Sequence, residues 1–360
     1  MRKGIVLHDA FQVRGGGERV ALALCDGLGL DLAYGYRSSP AAITLAEPGA
    51  QLIDLQSWGR LNLPLLGTAG QMLSFRYRTK FLRDYQTVVY SGVTAPLAVR
   101  NHVRGKNILY CHTPPRFMYD LREHYFSTLP LWRRIVLRAH IAALQPLYED
   151  AVRAMNVIVA NSRAVQHRIQ RYLGLPSQIV YPPCDLELFR WRGQQNYYLS
   201  TARLDPLKRI DRIVAAFTRM PDKQLLIASE GPQEQRLKAL AKGSDNIRIT
   251  GWINDEKLGE VIGNAIATIY VPQEEDFGIS PLESMAAGKP VIATAAGGIL
   301  ETVIDGVTGV FVPADPTPEH IVDAVCALTP QAAYAMRGAC EQQAAKFGRQ
   351  IFLRRMAELL

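Results

Sequence analysis

Two successive series of short apolar runs, alternating with helix-like segments, constrain most strongly how this chain can fold. Strands that alternate with helices pair in parallel, and the helices then cover both faces of the sheet. The predicted strands are 4–8, 52–55, 87–90, 107–110, 157–160 and 178–181 in the first series, and 197–201, 224–229, 247–251, 267–271 and 290–293 in the second. We therefore predict an α/β fold with doubly wound parallel sheets.

The two series are separated by a break that starts at Tyr181-Pro-Pro-Cys184 and ends in the polar stretch 190–195. At 360 residues the chain is long enough for two domains with separate cores. We predict a first domain over 1–183, a second over 184–340 and a closing segment over 341–360. The pattern of 342–360 is that of one amphipathic helix, whose apolar side would hold Phe347, Ile351, Phe352, Met356 and Leu359.

Composition excludes several classes of protein. No run approaches the roughly 20 apolar residues of a membrane span, and the first residues enter a strand without the pattern of a signal peptide. The five cysteines are odd in number and far apart, and they form no C-x-x-C pair. This usage argues against a disulfide framework and a zinc site, and it favours reduced cysteines that mostly lie in the core. The expected location is cytoplasmic.

Positive charge is concentrated in the first half of the chain. The net charge is +8, and between Arg60 and Lys106 there are eight Arg or Lys residues against one acid, Asp84. An anionic partner is expected for this half. The segments 63–85 and 131–138 mix basic with apolar residues, so we predict peripheral association with an anionic membrane on its inner face. The alternative is a solvated basic helix face.

The motif at 274–289 brings carboxylates to the start of a helix. It follows the predicted strand 267–271 and leads into a helix that Ser280 would N-cap, with Pro281 at the first helical position. Glu275 lies in the loop and Glu283 in the first turn. A helix N-terminus binds anions, and carboxylates beside it accept hydrogen bonds from hydroxyl groups, so the pair suits a phosphorylated sugar. The alternative for Ser280 and Glu283 is a capping box.

Two basic residues are expected at the same sheet edge. Arg203 and Lys208 lie between the first strand of the second series and the next helix. Loops after parallel strands face the ligand crevice, and an Arg with a Lys suits a diphosphate. Solvated surface charge is the alternative. The sequence contains no Asp-x-Asp pair, which argues against a metal site that holds diphosphate, so we expect neither a metal nor a cofactor.

Further turns are expected at these edges. Glu230-Gly231 and Gly251–Ile253 follow two strands of the second series, and a planar base could rest between their backbones, although Trp252 could instead be core. In the first series, Gly15-Gly16-Gly17 precedes a helix and would bring backbone amides to a phosphate, with a plain tight turn as the alternative. His112 follows a strand within His-Thr-Pro-Pro-Arg116, and it is either functional or a satisfied structural histidine.

In combination these motifs resemble the retaining, metal-independent glycosyltransferases of family 4, whose GT-B fold has two facing Rossmann-like domains. The resemblance runs in order over nearly the whole chain. Its matching pieces are Gly15-Gly16-Gly17-Glu18, His112 to Arg116, Asn161-Ser162, Arg203 with Lys208, Glu230-Gly231, Gly251-Trp252-Ile253, and Glu275 with Glu283 around Phe277-Gly278. It also implies that the closing helix crosses back to the first domain.

The resemblance implies a role for each matching residue. Arg203, Lys208 and the amides near Gly16, Gly17 and the turn from Gly278 through Ile279 to Ser280 would bind the donor diphosphate. Glu283 would accept the ribose hydroxyls and Glu275 the hydroxyls of the donor sugar. His112 would contact the sugar and the departing phosphate. Glu230, Gly231, Trp252, Ile253 and Phe277 would complete the donor site, and the acceptor would attack from the leaving-group face.

The run His-Thr-Pro-Pro-Arg-Phe-Met-Tyr-Asp120 is similar to bacterial mannosyltransferases of polysaccharide biosynthesis that use GDP-mannose. This implies a hexosyltransferase that acts on a polysaccharide or a lipid-linked glycan. The segment at the break between the two predicted domains, which is the domain hinge in this family, departs from the family's common Pro-Asn-Gly-Val-Asp. It reads Tyr-Pro-Pro-Cys-Asp185 here. Three alternatives stay open: a UDP-sugar donor, a GT-B epimerase or phosphorylase, and a silent sugar-nucleotide or nucleic-acid binder. We expect no nucleic-acid partner, because no known nucleic-acid module is evident.

Overall fold

The chain divides into two compact units. The computed structural model describes residues 2–12, 15–38, 43, 49–57, 64–127 and 129–360, with the backbone alone at 64–66. The first unit comprises residues 1–182 and 352–360, and the second comprises 183–351. Arg60 and Leu63, which begin the predicted basic segments, lie outside the described residues.

The first unit contains a seven-stranded parallel sheet in the order β3-β2-β1-β4-β5-β6-β7. Its strands are β1 (Arg2–Phe11), β2 (Asp31–Arg37), β3 (Leu52–Asp54), β4 (Tyr85–Ser91), β5 (Lys106–Cys111), β6 (Val157–Ala160) and β7 (Gln178–Ile179). Along β1, Ile5 and Leu7 pack into one hydrophobic cluster and Val6 into another. Both faces of the sheet are therefore covered, which explains why the strands are nearly continuous apolar runs.

The helices of the first unit begin and end at recognisable residues. They are α1 (Gly16–Leu28), α2 (Pro64–Tyr77), α3 (Arg122–Ser127), α4 (Leu131–Arg153) and α5 (Arg163–Leu173), with short 3₁₀ segments at Lys80–Asp84 and Ala95–Asn101. Ser162 caps α5 by accepting a hydrogen bond from the amide of Val165, and Gly174 ends it in the left-handed conformation. Val165 and Ile169 then lie on one buried face of α5.

The second unit contains a six-stranded parallel sheet in the order β10-β9-β8-β11-β12-β13. Its strands are β8 (Tyr198–Ser200), β9 (Leu225–Ile227), β10 (Ile247–Ile249), β11 (Thr268–Tyr270), β12 (Val291–Thr294) and β13 (Gly309–Val312). Its helices are α6 (Ile210–Phe217), α7 (Glu234–Leu240), α8 (Asp255–Asn264), α9 (Ile279–Ala286), α10 (Ile299–Thr302), α11 (Pro318–Ala327), α12 (Pro330–Ala335) and α13 (Arg337–Ala345), after a 3₁₀ turn at Pro206–Lys208. Among the described helices of the chain, none combines the length and apolarity that spanning a bilayer requires.

The closing segment differs from the single helix predicted over 342–360. It contains the end of α13 and a separate helix, α14 (Arg349–Ala357). Phe347 lies between them and packs against Phe277, with the ring centroids 5.8 Å apart, whereas Phe352 and Met356 join the core of the first unit. Phe347 thus serves one core and Phe352 and Met356 another, which explains the break in the helix. Ile351, which was expected on the apolar side, is 37% exposed. Two strands, β2 and β13, were not predicted. The five cysteines form no disulfide bond, and Cys326 is exposed whereas the other four are buried.

Candidate functional site

The site in the second unit lies where the order of the sheet reverses. From β8 the chain builds the sheet in one direction through β9 and β10, and from β11 it builds in the other through β12 and β13. The loops that leave the carboxyl ends of β8 and β11 therefore diverge and leave a crevice, which is where open α/β sheets bind ligands. Lys208 lies in the loop after β8 and Glu275 in the loop after β11.

Lys208, Glu275 and Tyr270 form one hydrogen-bonded cluster. The Lys208 Nζ atom lies 2.6 Å from Glu275 Oε2 and 3.0 Å from the hydroxyl oxygen of Tyr270. The Tyr270 hydroxyl donates to the same Glu275 oxygen at 2.6 Å. An ammonium group has three N–H donors, so these two contacts leave one donor for a ligand oxygen.

The cluster keeps its charges despite burial. Burial opposes the positive charge of Lys208, but nearby Tyr270 and Glu275 outweigh it and raise the pKa of the lysine above its usual value. Burial, and then the negative charge of Glu275, raise the pKa of the Tyr270 hydroxyl. Lys208 is therefore a fixed cation, and Tyr270 is a neutral donor at any physiological pH.

Hydrogen bonds within the loop of Lys208 and to neighbouring loops hold it in place. Asp205 accepts a hydrogen bond from the amide of Leu207 at 3.0 Å and so caps the 3₁₀ turn. The amide of Gln273 donates to the carbonyl of Leu207 at 2.8 Å, which joins the loop of Lys208 to the loop of Glu275. Arg209 adopts a left-handed conformation (φ 54°) and donates to the carbonyl of Ala314 at 2.7 Å. Both catalytic candidates are thus positioned by neighbouring loops before any ligand binds.

Two glycines after β12 hold the backbone of Glu275. A Cβ atom on Gly297, whose φ is 61°, would lie 2.3 Å from the carbonyl oxygen of Glu275, and the amide of Gly298 donates to that oxygen at 3.0 Å. A Cβ atom on Gly298 would meet the carbonyl oxygen of Asp276 at 2.4 Å. Only glycine fits at both positions, because the loop of Glu275 packs directly on this turn.

Helix α9 begins differently from the prediction. Gly278, with φ 87°, is the N-cap, so the helix starts at Ile279 and Ser280 is its second residue. The predicted N-cap role of Ser280 and the capping box with Glu283 are therefore wrong: a glycine in the left-handed conformation already makes the turn. Glu283 is only 4% exposed, and Phe277 is buried. The amides of the first helical turn, including those of Ile279 and Ser280, carry the positive end of the helix dipole.

The other predicted donor residues of the second unit lie in the loops after β8, β9 and β10. Arg203 is exposed, and within the described part of the chain no ion pair involves it. The carbonyl of Glu230 accepts from the amide of Leu204 at 3.1 Å, and a Cβ on Gly231 would lie 2.6 Å from the Leu204 carbonyl oxygen. The Glu230-Gly231 turn thus supports the loop of Arg203.

The side chain of Trp252 is 68% exposed, which excludes the alternative that it is core. It follows Gly251, whose φ of 77° makes the turn after β10. Ile253 beside it is half-buried. This turn therefore offers an exposed aromatic surface at the carboxyl edge of the sheet, as stacking on a base would require.

The site in the first unit also lies at a reversal of strand order, between β1 and β4. His112 follows β5, and its Nε2 atom lies 2.8 Å from the hydroxyl oxygen of Ser91, the last residue of β4. The Ser91 oxygen also lies 2.9 Å from Nδ1 of His8 on β1. A Cβ on Gly17 would lie 3.4 Å from His112 Nε2, so the start of α1 adjoins the histidine.

Both histidines are neutral at pH 7. Burial, and then the nearby His8, lower the pKa of His112 to about 3. Burial lowers the pKa of His8 to about 4. His112 is consequently a neutral hydrogen-bonding group and does not carry a positive charge.

The rest of the His112 loop is held by ion pairs. Arg116 donates to Asp120 Oδ2 from Nε at 3.0 Å and from Nη2 at 2.8 Å. Arg168 donates to the hydroxyl of Thr113 at 3.3 Å. The arginine of the His-Thr-Pro-Pro-Arg run therefore fixes the loop that carries His112.

Sequence reasoning missed four groups of the two sites: Tyr270, Ser91, His8 and the pair Gly297-Gly298. Tyr270 and Ser91 are each the last residue of a strand, and this position was the available signal, since carboxyl ends of parallel strands meet ligands. Gly297 and Gly298 follow β12 in the same way. His8 lies inside β1 and gave no such signal.

Comparisons with known proteins agree with this geometry. Residues 187–347 match the family described as "Glycosyl transferases group 1". The chain is 41% identical over 115 residues to the alpha-1,3/1,6-mannosyltransferase ALG2 of Dictyostelium discoideum, which covers 32% of this chain and 27% of that protein. It is 31% identical over 256 residues to the alpha-D-kanosaminyltransferase of Streptomyces kanamyceticus, which covers 69% of this chain and 58% of that protein.

Among solved structures, the chain superposes on the sucrose-phosphate synthase of Thermosynechococcus elongatus with a TM-score of 0.80 at 19% identity, over 99% of this chain and 98% of that one. The fold is therefore the GT-B fold, and most of the second unit matches the glycosyltransferase group 1 family over residues 187–347. The matches to the two curated relatives span 27% and 58% of those proteins' lengths.

Proposed function

We propose that the protein is a retaining, metal-independent glycosyltransferase that moves a hexose from a sugar nucleotide to a polysaccharide or a lipid-linked glycan. The observation that carries the proposal is the cluster of Lys208, Glu275 and Tyr270 in the crevice of a glycosyltransferase group 1 domain. A cation and a carboxylate held together there match a substrate that carries both a diphosphate and sugar hydroxyls.

The chemistry that this cluster would perform is stabilisation of a leaving group. Cleavage of the bond between sugar and diphosphate builds negative charge on the diphosphate oxygens. The remaining N–H of Lys208, the guanidinium of Arg203 and the amides at the start of α9 are the groups that would face this charge. Because fixed protein charges would supply the stabilisation, the proposed reaction needs no metal. The acceptor hydroxyl would attack from the face that the diphosphate leaves, and no enzymic nucleophile is involved.

The carboxylate of Glu275, which pairs with Lys208, would accept hydrogen bonds from hydroxyl groups of the donor sugar. Glu283 would accept the ribose hydroxyls and the exposed ring of Trp252 would meet the base. Neutral His112 would hydrogen-bond to the sugar, and the amides of Gly16 and Gly17 would bind phosphate oxygens.

For the donor we propose GDP-mannose. Two observations support this choice: the His-Thr-Pro-Pro-Arg run around His112, and the similarity to a protein named as a mannosyltransferase. A UDP-sugar is the second candidate, and the thermal-shift panel described below separates it from GDP-mannose. An epimerase or phosphorylase would release no free nucleoside diphosphate in an acceptor-dependent way.

The test is a thermal-shift panel of GDP, UDP, ADP and their sugar conjugates, since a ligand that binds only the native state raises the melting temperature. We expect stabilisation by GDP and GDP-mannose that is lost in Arg203→Ala and Glu283→Ala. The matched control is Arg219→Ala, because Arg219 follows α6 and pairs with Glu319 away from the crevice. If only UDP ligands raise the melting temperature, the donor is a UDP-sugar and not GDP-mannose. If no nucleotide raises it, the proposed function is wrong.

We also propose that the first turns of α4 rest on an anionic membrane from the cytoplasmic side. Leu131, Trp132 and Ile135 are 73%, 61% and 59% exposed, and the guanidinium carbon of Arg133 lies 4.9 Å from the Trp132 ring centroid. Apolar side chains beside Arg133, Arg134 and Arg138 match the combination of acyl chains and anionic headgroups.

Flotation with vesicles tests this surface. We expect binding to vesicles that contain phosphatidylglycerol, with little binding to pure phosphatidylcholine, and a large loss in the double variant Trp132→Ala, Ile135→Ala. The matched control is Leu240→Ala with Tyr334→Ala, which removes exposed apolar side chains from the second unit (42% and 58% exposed). Equal flotation of the two double variants would reject α4 as the membrane surface.

A further inference from the structure

Three side chains of the first unit form a continuous hydrogen-bonded chain that the proposed reaction does not by itself explain. His8 Nδ1 lies 2.9 Å from Ser91 Oγ, and Ser91 Oγ lies 2.8 Å from His112 Nε2. Sheet register creates this order: His8 pairs with Ser91 across β1 and β4, and Ser91 pairs with Tyr110 across β4 and β5, two residues before His112. The middle hydroxyl is fully buried.

The two hydrogen bonds of Ser91 limit which ring nitrogens of His8 and His112 can carry protons. Both rings are neutral because burial lowers the pKa of His8 to about 4 and that of His112 to about 3. A neutral imidazole has one N–H and one bare nitrogen, and a serine hydroxyl has one proton. Ser91 can therefore donate to only one of the rings, and a chain of two good hydrogen bonds requires the other ring to donate to its oxygen. The tautomers of His8 and His112 are then coupled through Ser91.

The hydrogen bond to Ser91 also determines which ring nitrogen of His112 remains for a substrate. Its Nε2 atom already faces Ser91, and the start of α1 adjoins the same atom, since a Cβ on Gly17 would lie 3.4 Å from it. Nδ1 is accordingly the ring nitrogen that is left for a ligand. Whether Nδ1 donates or accepts depends on the proton that Nε2 shares with Ser91.

We propose that Ser91 and His8 are positioning residues, which hold His112 in a single tautomer and ring orientation so that its Nδ1 presents one defined hydrogen-bonding role to the sugar donor. The role of these hydrogen bonds in catalysis rests on the proposed glycosyl transfer. The coupling of the two histidine rings does not depend on that proposal. A structural serine would be satisfied by any backbone carbonyl, as Ser74 is by the carbonyl of Gly70 at 2.9 Å. Ser91 instead joins the buried imidazole of His8 on β1 to the half-buried imidazole of His112 after β5.

The experiment combines nitrogen-15 spectra of histidine-labelled full-length protein with steady-state kinetics. In the wild type at pH 7 we expect His8 and His112 each in one neutral tautomer. Ser91→Ala should shift the ring nitrogens of both histidines, and it should lower kcat about tenfold, the scale of one hydrogen bond, with a smaller change in the donor KM. Ser91→Thr, which keeps the hydroxyl, should recover the wild-type spectra and most of kcat.

Two further variants make the test independent of folding defects at Ser91. Ser74→Ala removes another buried hydroxyl, from α2, and should change neither the His112 resonances nor kcat. His8→Phe keeps a ring of similar size and should still shift the His112 ring nitrogens through Ser91. Unchanged His112 resonances in both Ser91→Ala and His8→Phe would overturn the coupling, and shifted resonances with wild-type kcat would overturn the positioning role. A wild type that transfers no sugar from any nucleotide would overturn the proposed function, while the spectra would still decide the coupling.

Discussion

The two sites lie at equivalent places in their sheets, but the side chains of one are charged and those of the other are neutral. Each lies where strand order reverses, between β1 and β4 in the first unit and between β8 and β11 in the second. In the second unit, Lys208 and Glu275 are both charged and 2.6 Å apart. In the first unit, His8 and His112 are both neutral, because burial lowers the pKa of each.

This difference shows that topology fixes where a ligand binds, while the side chains decide which part of it is bound. Removing two charges from water is costly, and the half-buried pair of Lys208 and Glu275 offsets this cost through its short contact and the further hydrogen bond from Tyr270. A neutral histidine is better suited to sugar hydroxyls than to a diphosphate. We therefore expect changes in the second unit to act mainly on charge stabilisation, and changes in the first unit to act on orientation.

The largest expected effect is that of Glu275→Gln. The amide keeps the shape of the side chain but removes the charge that is paired with Lys208, and a sugar hydroxyl would lose a charged acceptor. We expect kcat to fall by about 10²–10³-fold, the scale seen when one preorganised electrostatic contact is removed. Steady-state transfer assays measure this, with Glu274→Gln on the same loop as control. If both variants keep wild-type kcat, the charged cluster has no part in the reaction.

The second prediction concerns acid and separates the two units. The pKa of His8 is about 4 in the folded state and near 6.5 when unfolded, so between these values the unfolded chain binds the extra proton. Stability of the first unit therefore falls as pH drops through this window, by about 2 kcal/mol between pH 7 and pH 5 for one such histidine. Neither Lys208 nor Tyr270 titrates in this range, since both pKa values are raised.

Hydrogen exchange of β4 and β9 amides, corrected for intrinsic rates, measures this difference unit by unit. We expect protection of β4 in His8→Gln to fall less between pH 7 and pH 5 than in the wild type, by about 2 kcal/mol. His167→Gln, which changes an exposed histidine on α5, should leave the wild-type decline intact. An identical decline in His8→Gln and the wild type would show that His8 is not held neutral.

The third prediction tests the support within the charged cluster. Tyr270→Phe keeps the ring and removes the hydroxyl that donates to Glu275 at 2.6 Å. The ion pair with Lys208 remains, so the expected loss is that of one hydrogen bond, about 1 kcal/mol or five- to tenfold in kcat/KM. Tyr197→Phe is the matched control, because its hydroxyl donates to the carbonyl of Val261 at 2.7 Å. Equal kinetics of the two variants would reduce Tyr270 to a packing residue.

Much of this architecture could be predicted from sequence, and the misses have a common physical cause. Apolar runs predict eleven of the strands, but they do not predict β2, which has Gly35 inside it, or β13, which begins at Gly309. A Cβ on Gly35 would lie 2.5 Å from the carbonyl oxygen of Asp9, and one on Gly309 would lie 2.1 Å from that of Val291. Glycine is unfavourable in strands in general, but here close approach of a neighbouring backbone requires it.

The candidate sites were predictable only in part for a related reason. Local spacing places Lys208, Glu275 and His112 in loops at the carboxyl edges, because each follows an apolar run. Their partners Tyr270 and Ser91 each end a strand, and this position marks them only as residues of the carboxyl edge, because an apolar run does not show which loop its last side chain contacts. Contacts between strands distant in sequence, such as His8 with Ser91, depend on register, which periodicity does not reveal.

The smallest expected effect sharpens the comparison at the start of α1, where the first unit would bind phosphate although the histidines of its site are neutral. Gly16 is the first helical residue, and Gly15 before it is extended (φ −81°, ψ 179°), so the backbone at position 16 suits a proline. Gly16→Pro removes one backbone N–H, whereas Gly16→Ala keeps it. We expect the donor Kd, measured by calorimetry, to rise about threefold to tenfold in Gly16→Pro and to stay near the wild-type value in Gly16→Ala. Equal Kd values for the two variants would mean that the first unit contributes no amide of Gly16 to the phosphate, and that anion binding is left to Arg203, Lys208 and α9.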